Sequence, residues 1–252
     1  MPIATHAGQR IHYSVEGEGP PLLLQHGSGS RLQAWTLFGY TARLRAQHCL
    51  IMVDARGHGE SDKPHAVADY ALDKRVGDLL AVLDHAGVGR AHYWGYSMGG
   101  WIGFGLAARA PERLASLVLG GAHPYADPAE AFLGVDGSDP EVFIAAMERF
   151  ARIRATPEVR ERLLQNDLRA LAAAMHPRAS QEAELPRMRT PALLYVGDQD
   201  PRLEAVRQCA AAMPQAQFLA LPGLDHSSAF QRSASVVPQV LAFLASANNR
   251  EP

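Results

Sequence analysis

The sequence predicts an α/β protein: a mostly parallel sheet with helices on both faces, interrupted by a helical insertion. Short apolar runs alternate with amphipathic helical patterns along most of the 252 residues. Each run is followed by Gly, Asp or His, the position just beyond a strand's carboxyl end. The alternation lapses between about His123 and Arg187, a stretch with helix signals and no good strand.

Leu22-Leu23-Leu24 is continuously apolar, as expected of a strand buried on both sides. Cys49-Leu50-Ile51-Met52-Val53, Ala91-His92-Tyr93-Trp94, Leu117-Val118-Leu119 and Ala192-Leu193-Leu194-Tyr195-Val196 have the same character. Val76, Leu79, Leu80 and Leu83 keep the spacing of one helical face, and Val237, Val240, Leu241 and Leu244 repeat it near the C-terminus. Ser235 is placed to cap that last helix, with Pro238 in its first turn. In the insertion, Ser138 or Asp139 before Pro140-Glu141 starts a helix running to about Ile153. Thr156-Pro157-Glu158 starts a second, and Asp167 a third from Leu168 to Met175, stopped by Pro177. A linker would not be this apolar, so a subdomain over one end of the sheet is expected.

Composition excludes several classes. The 24 Lys+Arg and 26 Asp+Glu give a net charge of −2, so no broad basic field exists for nucleic acid. A hydrophobic content of 47% argues against disorder. No apolar run reaches the ~18 residues of a membrane span, and the opening MPIATHAGQR lacks a secretory pattern, so a soluble, cytoplasmic chain is expected. Cys49 and Cys209 lack metal-ligand spacing and are expected to be buried free thiols.

The sharpest motif is Gly95-Tyr96-Ser97-Met98-Gly99-Gly100, directly after a strand and before the helical run Trp101 to Ala110. A Gly-x-Ser-x-Gly string alone is weak, arising by chance in roughly one chain in ten. Between a buried strand and a helix it is strong: the turn holds the serine exposed and strained, and its tightness excludes side chains two residues to either side. A helix N-terminus there favours an oxyanion.

Serine needs a base to take its proton and a carboxylate to orient that base. Among eleven histidines the best base is His226, in Gly223-Leu224-Asp225-His226-Ser227-Ser228, on a loop between the apolar stretch Phe218 to Leu221 and the last helix. The carboxylate is expected in Gly197-Asp198-Gln199-Asp200-Pro201; Asp200 lies deeper and can turn back, whereas Asp198 suits a turn cap. Asp225 reads as a loop residue. The glycine-bearing Gln25-His26-Gly27-Ser28-Gly29-Ser30 can bring backbone to substrate, which assigns the oxyanion donors to the amides of Ser28 and Met98. His26 is expected to hold this loop.

These residues together resemble the α/β-hydrolase fold superfamily, in its serine-nucleophile branch, over nearly the whole chain. The order Ser97, Asp200, His226 carries the resemblance, with His26-Gly27 before it and Asp54-Ala55-Arg56-Gly57-His58-Gly59-Glu60-Ser61 between. The resemblance implies that the Asp54–Ser61 loop is structural and His58 scaffold. It also implies that 123–187 is a cap roofing a catalytic core of 1–122 and 188–252. Haloalkane dehalogenases and epoxide hydrolases carry aspartate where this chain has Ser97, so neither activity is expected.

The expected chemistry is acyl transfer through Ser97, without metal or cofactor; no H-E-x-x-H, Cys/His cluster or phosphate loop is present. Three functions fit: a hydrolase of small or medium acyl esters or lactones, a C–C bond hydrolase or lyase with the same triad, and a slow-turnover ligand receptor. The first is favoured, since the intact triad fits it and no feature points to the others. The expected partner is a small apolar ester or related carbonyl compound, with no nucleic acid and no membrane.

Substrate contacts are expected from His123, Tyr125, Trp101, Phe143 and Met147. Trp35 and Trp101 flank the oxyanion loops and suit packing as well. Phe132, Leu133, Ile144, Phe150 and Met175 add to the insertion's apolar content, most of it expected to form its own core. Arg149, Arg152, Arg154, Arg160 and Arg162, interspersed with Glu148, Glu158 and Glu161, read as a solvated, self-paired surface.

Overall fold

The computed structural model describes residues 2–151 and 154–248. Five apolar runs become parallel strands: β3 (Pro21–Gln25), β4 (Cys49–Val53), β5 (Ala91–Tyr96), β6 (Leu114–Gly120) and β7 (Ala192–Gly197). The strand β8 (Ala216–Leu221) extends them at one edge. The sequence pattern did not reveal the other edge, an antiparallel hairpin of β1 (Ile3–His6) and β2 (Gln9–Glu16), whose turn places Ala7 and Gly8 at φ 49° and 74°. The spatial order is β1-β2-β4-β3-β5-β6-β7-β8, with β2 antiparallel to β4 and all later pairs parallel.

Alternation along each strand divides the core. Leu23, Ile51, Val53, Tyr93, Leu117 and Leu119 face α3 (Leu72–His85) and α4 (Met98–Arg109). Val76, Leu79 and Leu83 come from the predicted face of α3. On the opposite face, Leu22, Leu24, Met52, Trp94 and Tyr195 pack on α1 (Gln33–Leu37), α2 (Tyr40–Leu44) and α10 (Ser233–Asn248). Trp35 is wholly buried here and packs on Tyr40, Trp94 and Phe230.

Several local expectations need correction. The last helix begins at Ser233, before Ser235, and the Ser233 hydroxyl ties its start to the α1–α2 region, donating to Phe38 O at 2.5 Å and accepting from Arg43 Nε. Cys49 is half-buried rather than buried; Cys209 is buried, and burial pushes its thiol pKa up.

Between β6 and β7 run α5 (Pro140–Ala151), α6 (Pro157–Leu164) and α7 (Leu168–Ala174). The expected end of the first, Ile153, lies outside the described residues. Asp139, not Ser138, caps α5, its Oδ1 accepting from the amides of Glu141 (2.8 Å) and Val142 (3.3 Å). Thr156 and Asp167 cap α6 and α7 in the same way. Phe132, Phe143, Ala146, Leu171 and Met175 form a separate core for this stretch. Ile144 is also buried, while Leu133 is 70% exposed.

A buried carboxylate just beyond β4 ties the amino-terminal half of β2 to the loop after β3. Asp54 is fully buried; it accepts from the amides of Leu32 (2.8 Å) and Glu60 (3.0 Å) and from His12 Nδ1 (2.7 Å). Removing it would take away the acceptor that the Leu32 and Glu60 amides and the His12 imidazole share. Asp54→Ala is expected to lower unfolding free energy by about 3–5 kcal/mol, measured by urea denaturation.

Candidate active site

The site starts from a strained turn. Ser97, between β5 and α4, has φ 52° and ψ −111°, a conformation costing about 1–3 kcal/mol for a residue with a side chain. Its amide donates to Gly120 O at 2.8 Å, tying the turn to the end of β6. A Cβ at Gly95 would lie 2.4 Å from Gly99 O, and one at Gly99 would lie 2.3 Å from Gln25 O. Both contacts are with backbone, so both positions require glycine. The helix begins at Met98, three residues earlier than its apolar run suggests.

Asp200 and His226 arrive from the ends of β7 and β8. His226 Nδ1 lies 2.6 Å from Asp200 Oδ2, and its Nε2 lies 3.1 Å from Ser97 Oγ. A carboxylate can only accept, so the imidazole proton sits on Nδ1 and leaves the Nε2 lone pair for the Ser97 hydroxyl proton. Burial opposes ionisation of Asp200, yet the His226 hydrogen bond and charge outweigh it and hold its pKa below the ordinary 3.8. Asp200 Oδ1 also accepts from Arg202 N (3.0 Å) and Arg202 Nη1 (3.3 Å).

His226 opens the short helix α9 (His226–Gln231) rather than lying on a loop. Asp225, expected as a loop residue, caps that helix reciprocally with Ser228. The cap and the bond from Tyr96 OH to His226 O (2.5 Å) fix where the imidazole stands. Asp198 accepts from Gly223 N at 2.8 Å and ties the two loops together.

The loop after β3 runs beside Ser97: a Cβ on Gly27 would lie 3.3 Å from Ser97 Cβ. Two buried histidines hold it. His26 donates to Gly27 O from Nδ1 and accepts from Ala55 N at Nε2 (3.1 Å). His58 donates to Arg56 O and accepts from Gly29 N at 3.1 Å. Among the described residues, neither the Ser28 nor the Met98 amide donates a backbone hydrogen bond. Met98 opens α4, where a helix leaves its first amides unpaired.

Ser97 lies between two compartments. The larger, about 230 Å³, has apolar walls that include Phe38, Met147, Phe150, Leu163 and Phe230. The smaller, about 30 Å³, is lined by Trp101, His123, Tyr125, Asp127, Arg178 and Arg202. Ser28, Ser97, Phe150 and Arg202 border both.

Of the expected substrate contacts, Met147 lines the large compartment, and Trp101, His123 and Tyr125 line the small one. Phe143 is corrected: it is fully buried against Phe132 in the core of the helical stretch, its ring 5.7 Å from that neighbour. The basic cluster is in part the self-paired surface expected, with Arg162 the exception. Arg160 pairs with Glu141, Arg149 donates to Ala131 O, and Arg162 stands at the rim of the large compartment. Arg152 lies outside the described residues. Sequence reasoning missed Arg178 and Arg202, since each is a lone arginine in irregular chain. Leu163 was missed because α6 is mostly polar and shows no continuous apolar stripe.

A sequence profile of the alpha/beta hydrolase fold matches residues 20–164, more than half of the chain, and the chain belongs to that family. It is 34% identical to the dihydrolipoyllysine-residue acetyltransferase component of the acetoin cleaving system of Pseudomonas putida, over 92% of this chain and 65% of the relative. The chain thus spans less than two thirds of that relative's length. It is 28% identical to 3-oxoadipate enol-lactonase 2 of Acinetobacter baylyi, over 76% of each. A thermophilic esterase from Thermogutta terrifontis, solved with malate bound, matches with a TM-score of 0.83 at 26% identity, covering 97% of both chains. No described helix is long and apolar enough to cross a membrane, and no described group of His, Cys, Asp or Glu could hold a metal ion.

The loop histidines make stability depend on pH. Burial pushes the pKa of His26 below the usual 6.5 and that of His58 well below it, so the fold holds both neutral. The unfolded chain takes up protons as pH falls through 6.5, so stability present above that pH is lost below it. The urea midpoint is expected to be lower at pH 5.5 than at pH 7.5, with a shallower pH slope in His58→Gln. Gly99→Ala, which drives a Cβ into Gln25 O, is expected to lower the melting temperature sharply or abolish folding, as read by calorimetry.

Proposed function

We propose that this chain is a serine hydrolase of carboxylic esters, acting on small or medium acyl esters or lactones. The observation that carries the proposal is the hydrogen-bonded row from Asp200 through His226 to Ser97, with its histidine tautomer fixed by the carboxylate. Ser97 Oγ attacks the acyl carbon as its proton passes to His226 Nε2. The oxyanion rests on the amides of Ser28 and Met98, and Asp200 stabilises the imidazolium. His226 returns the proton to the departing alcohol. It then takes a proton from water, whose oxygen attacks the acyl carbon, and returns that proton to Ser97 Oγ as the carboxylic acid leaves.

In this reading residues 123–187 act as a cap over a catalytic core of 1–122 and 188–252. Met147 and Phe150 on α5 and Leu163 on α6 supply one wall of the acyl pocket. The enol-lactonase of Acinetobacter baylyi and the Thermogutta terrifontis esterase support ester or lactone chemistry for the site.

Short p-nitrophenyl esters are expected to turn over steadily. Ser97→Ala should lower kcat by about 10⁴-fold or more with the melting temperature preserved, and Asp200→Asn by about 10⁴-fold through the wrong histidine tautomer. A single acylation per chain without further turnover would count against the proposal.

A further inference from the structure

The small compartment beside Ser97 differs in kind from the large one. Arg178 is half-buried, with its guanidinium carbon 4.6 Å from the centre of the Trp101 ring. Among the described residues its guanidinium has neither a hydrogen bond nor an ion pair within 4.0 Å, although Asp127 stands on the same wall. Asp127 instead accepts from the Ala129 amide at 2.9 Å. Arg202 gives Asp200 one side-chain hydrogen bond, at 3.3 Å, and its other N–H donors remain. Trp101 Nε1 and His123 Nδ1 are both buried with no hydrogen-bond partner. Buried polar groups are nearly always paired, so the Trp101 N–H, the free guanidinium N–H groups and an imidazole that can present its proton at Nδ1 together call for an acceptor from outside the chain.

Charge supports that acceptor being an anion. Desolvation pulls the Arg178 pKa down to about 10, still high enough to keep it charged at neutral pH. The same burial, together with the nearby Arg202 charge, holds the His123 pKa below its usual range. Two guanidiniums border the compartment against one carboxylate, Asp127, whose charge acts on Arg178 without a direct ion pair, while Asp200 is already engaged by His226. The compartment's 30 Å³ exceeds the ~10–15 Å³ that one water requires, leaving room for a group with two oxygens. A planar guanidinium matches a carboxylate in shape and charge.

We propose, on the strength of the hydrolase reading above, that His123, Arg178 and Arg202 form a carboxylate subsite, and that the preferred substrate is an ester or lactone carrying a second, free carboxylate. The apolar remainder occupies the large compartment, and the scissile carbonyl lies over Ser97 at the junction. Arg178 carries most of the discrimination, because Arg202 is already shared with Asp200.

The test compares matched esters on the wild type. Mono-4-nitrophenyl glutarate and 4-nitrophenyl valerate place the charge on the acyl side; 4-carboxyphenyl acetate and phenyl acetate place it on the alcohol side. An acidic ester is expected to exceed its neutral match in kcat/KM by about tenfold or more, and the favoured pair tells which side of the ester enters the subsite. In Arg178→Gln the ratio should fall towards one, and Arg178→Lys, which keeps the charge but not the fork, should be intermediate. Equal or neutral-favouring ratios in the wild type would overturn the subsite, as would an acidic preference that survives Arg178→Gln. Glutarate and glutaramide titrated calorimetrically into Ser97→Ala keep the subsite testable without turnover. Should no ester be hydrolysed while glutarate still binds more tightly than glutaramide and loses that advantage in Ser97→Ala/Arg178→Gln, the hydrolase reading falls and the subsite stands. Failure of glutarate to bind would remove the subsite whatever the esters do.

Discussion

The close approach of one helix to two strands governs the rest of this molecule. The N-terminus of α4 sits so near β3 and β5 that Gly95 and Gly99 have no room for a Cβ, and Ser97 between them is forced to φ 52°. A strained residue persists only where its surroundings over-determine it. Here they do: β5 is buried along its whole length, α4 is buried over most of its own, and the Ser97 amide is bonded to the end of β6. The hydroxyl is thereby presented at the carboxyl edge of the sheet, where the loops after β3, β7 and β8 converge. Core packing and the serine's exposure are one arrangement.

A second layer of buried polar groups keeps the neighbouring loop in place. Asp54 anchors Leu32 beyond the loop, while His26 and His58 bond the loop to the segment that follows β4. Each of these histidines works as a neutral donor–acceptor bridge, which burial enforces by disfavouring the charged form. His226 differs from them in being partly exposed and in bonding a carboxylate, Asp200, and a hydroxyl, Ser97.

The two compartments share the serine but not their chemistry. Apolar walls on α5, α6 and α9 dominate the larger space, whereas Arg178 from the return segment after α7 and Arg202 at the end of the β7 to α8 (Leu203–Ala212) connection border the smaller. A substrate fitted to both would be amphiphilic across its scissile bond. A desolvated guanidinium that no carboxylate touches directly is costly to maintain, even with Asp127 on the same wall, so the small compartment favours an anionic group.

Local pattern decided much of this protein. Continuous apolar runs identified the buried strands, since a strand covered on both faces needs no polar side chains. Helix starts at Asp139, Thr156 and Asp167 were legible because a capping side chain bonds its own next turn. The Gly-x-Ser-x-Gly spacing marked the turn, because steric exclusion there acts between neighbours in sequence. Ser97, Asp200 and His226 were identifiable by loop position and residue type. Their mutual distances came only from the fold, as did the placing of Phe143 in a helical core, the start of α10 at Ser233, the edge hairpin and the arginine-lined compartment. These depend on residues far apart in sequence: Arg178 meets Trp101 and Ser233 meets Phe38. A contact between distant segments leaves no periodicity in either, so it is decided only when the chain has packed.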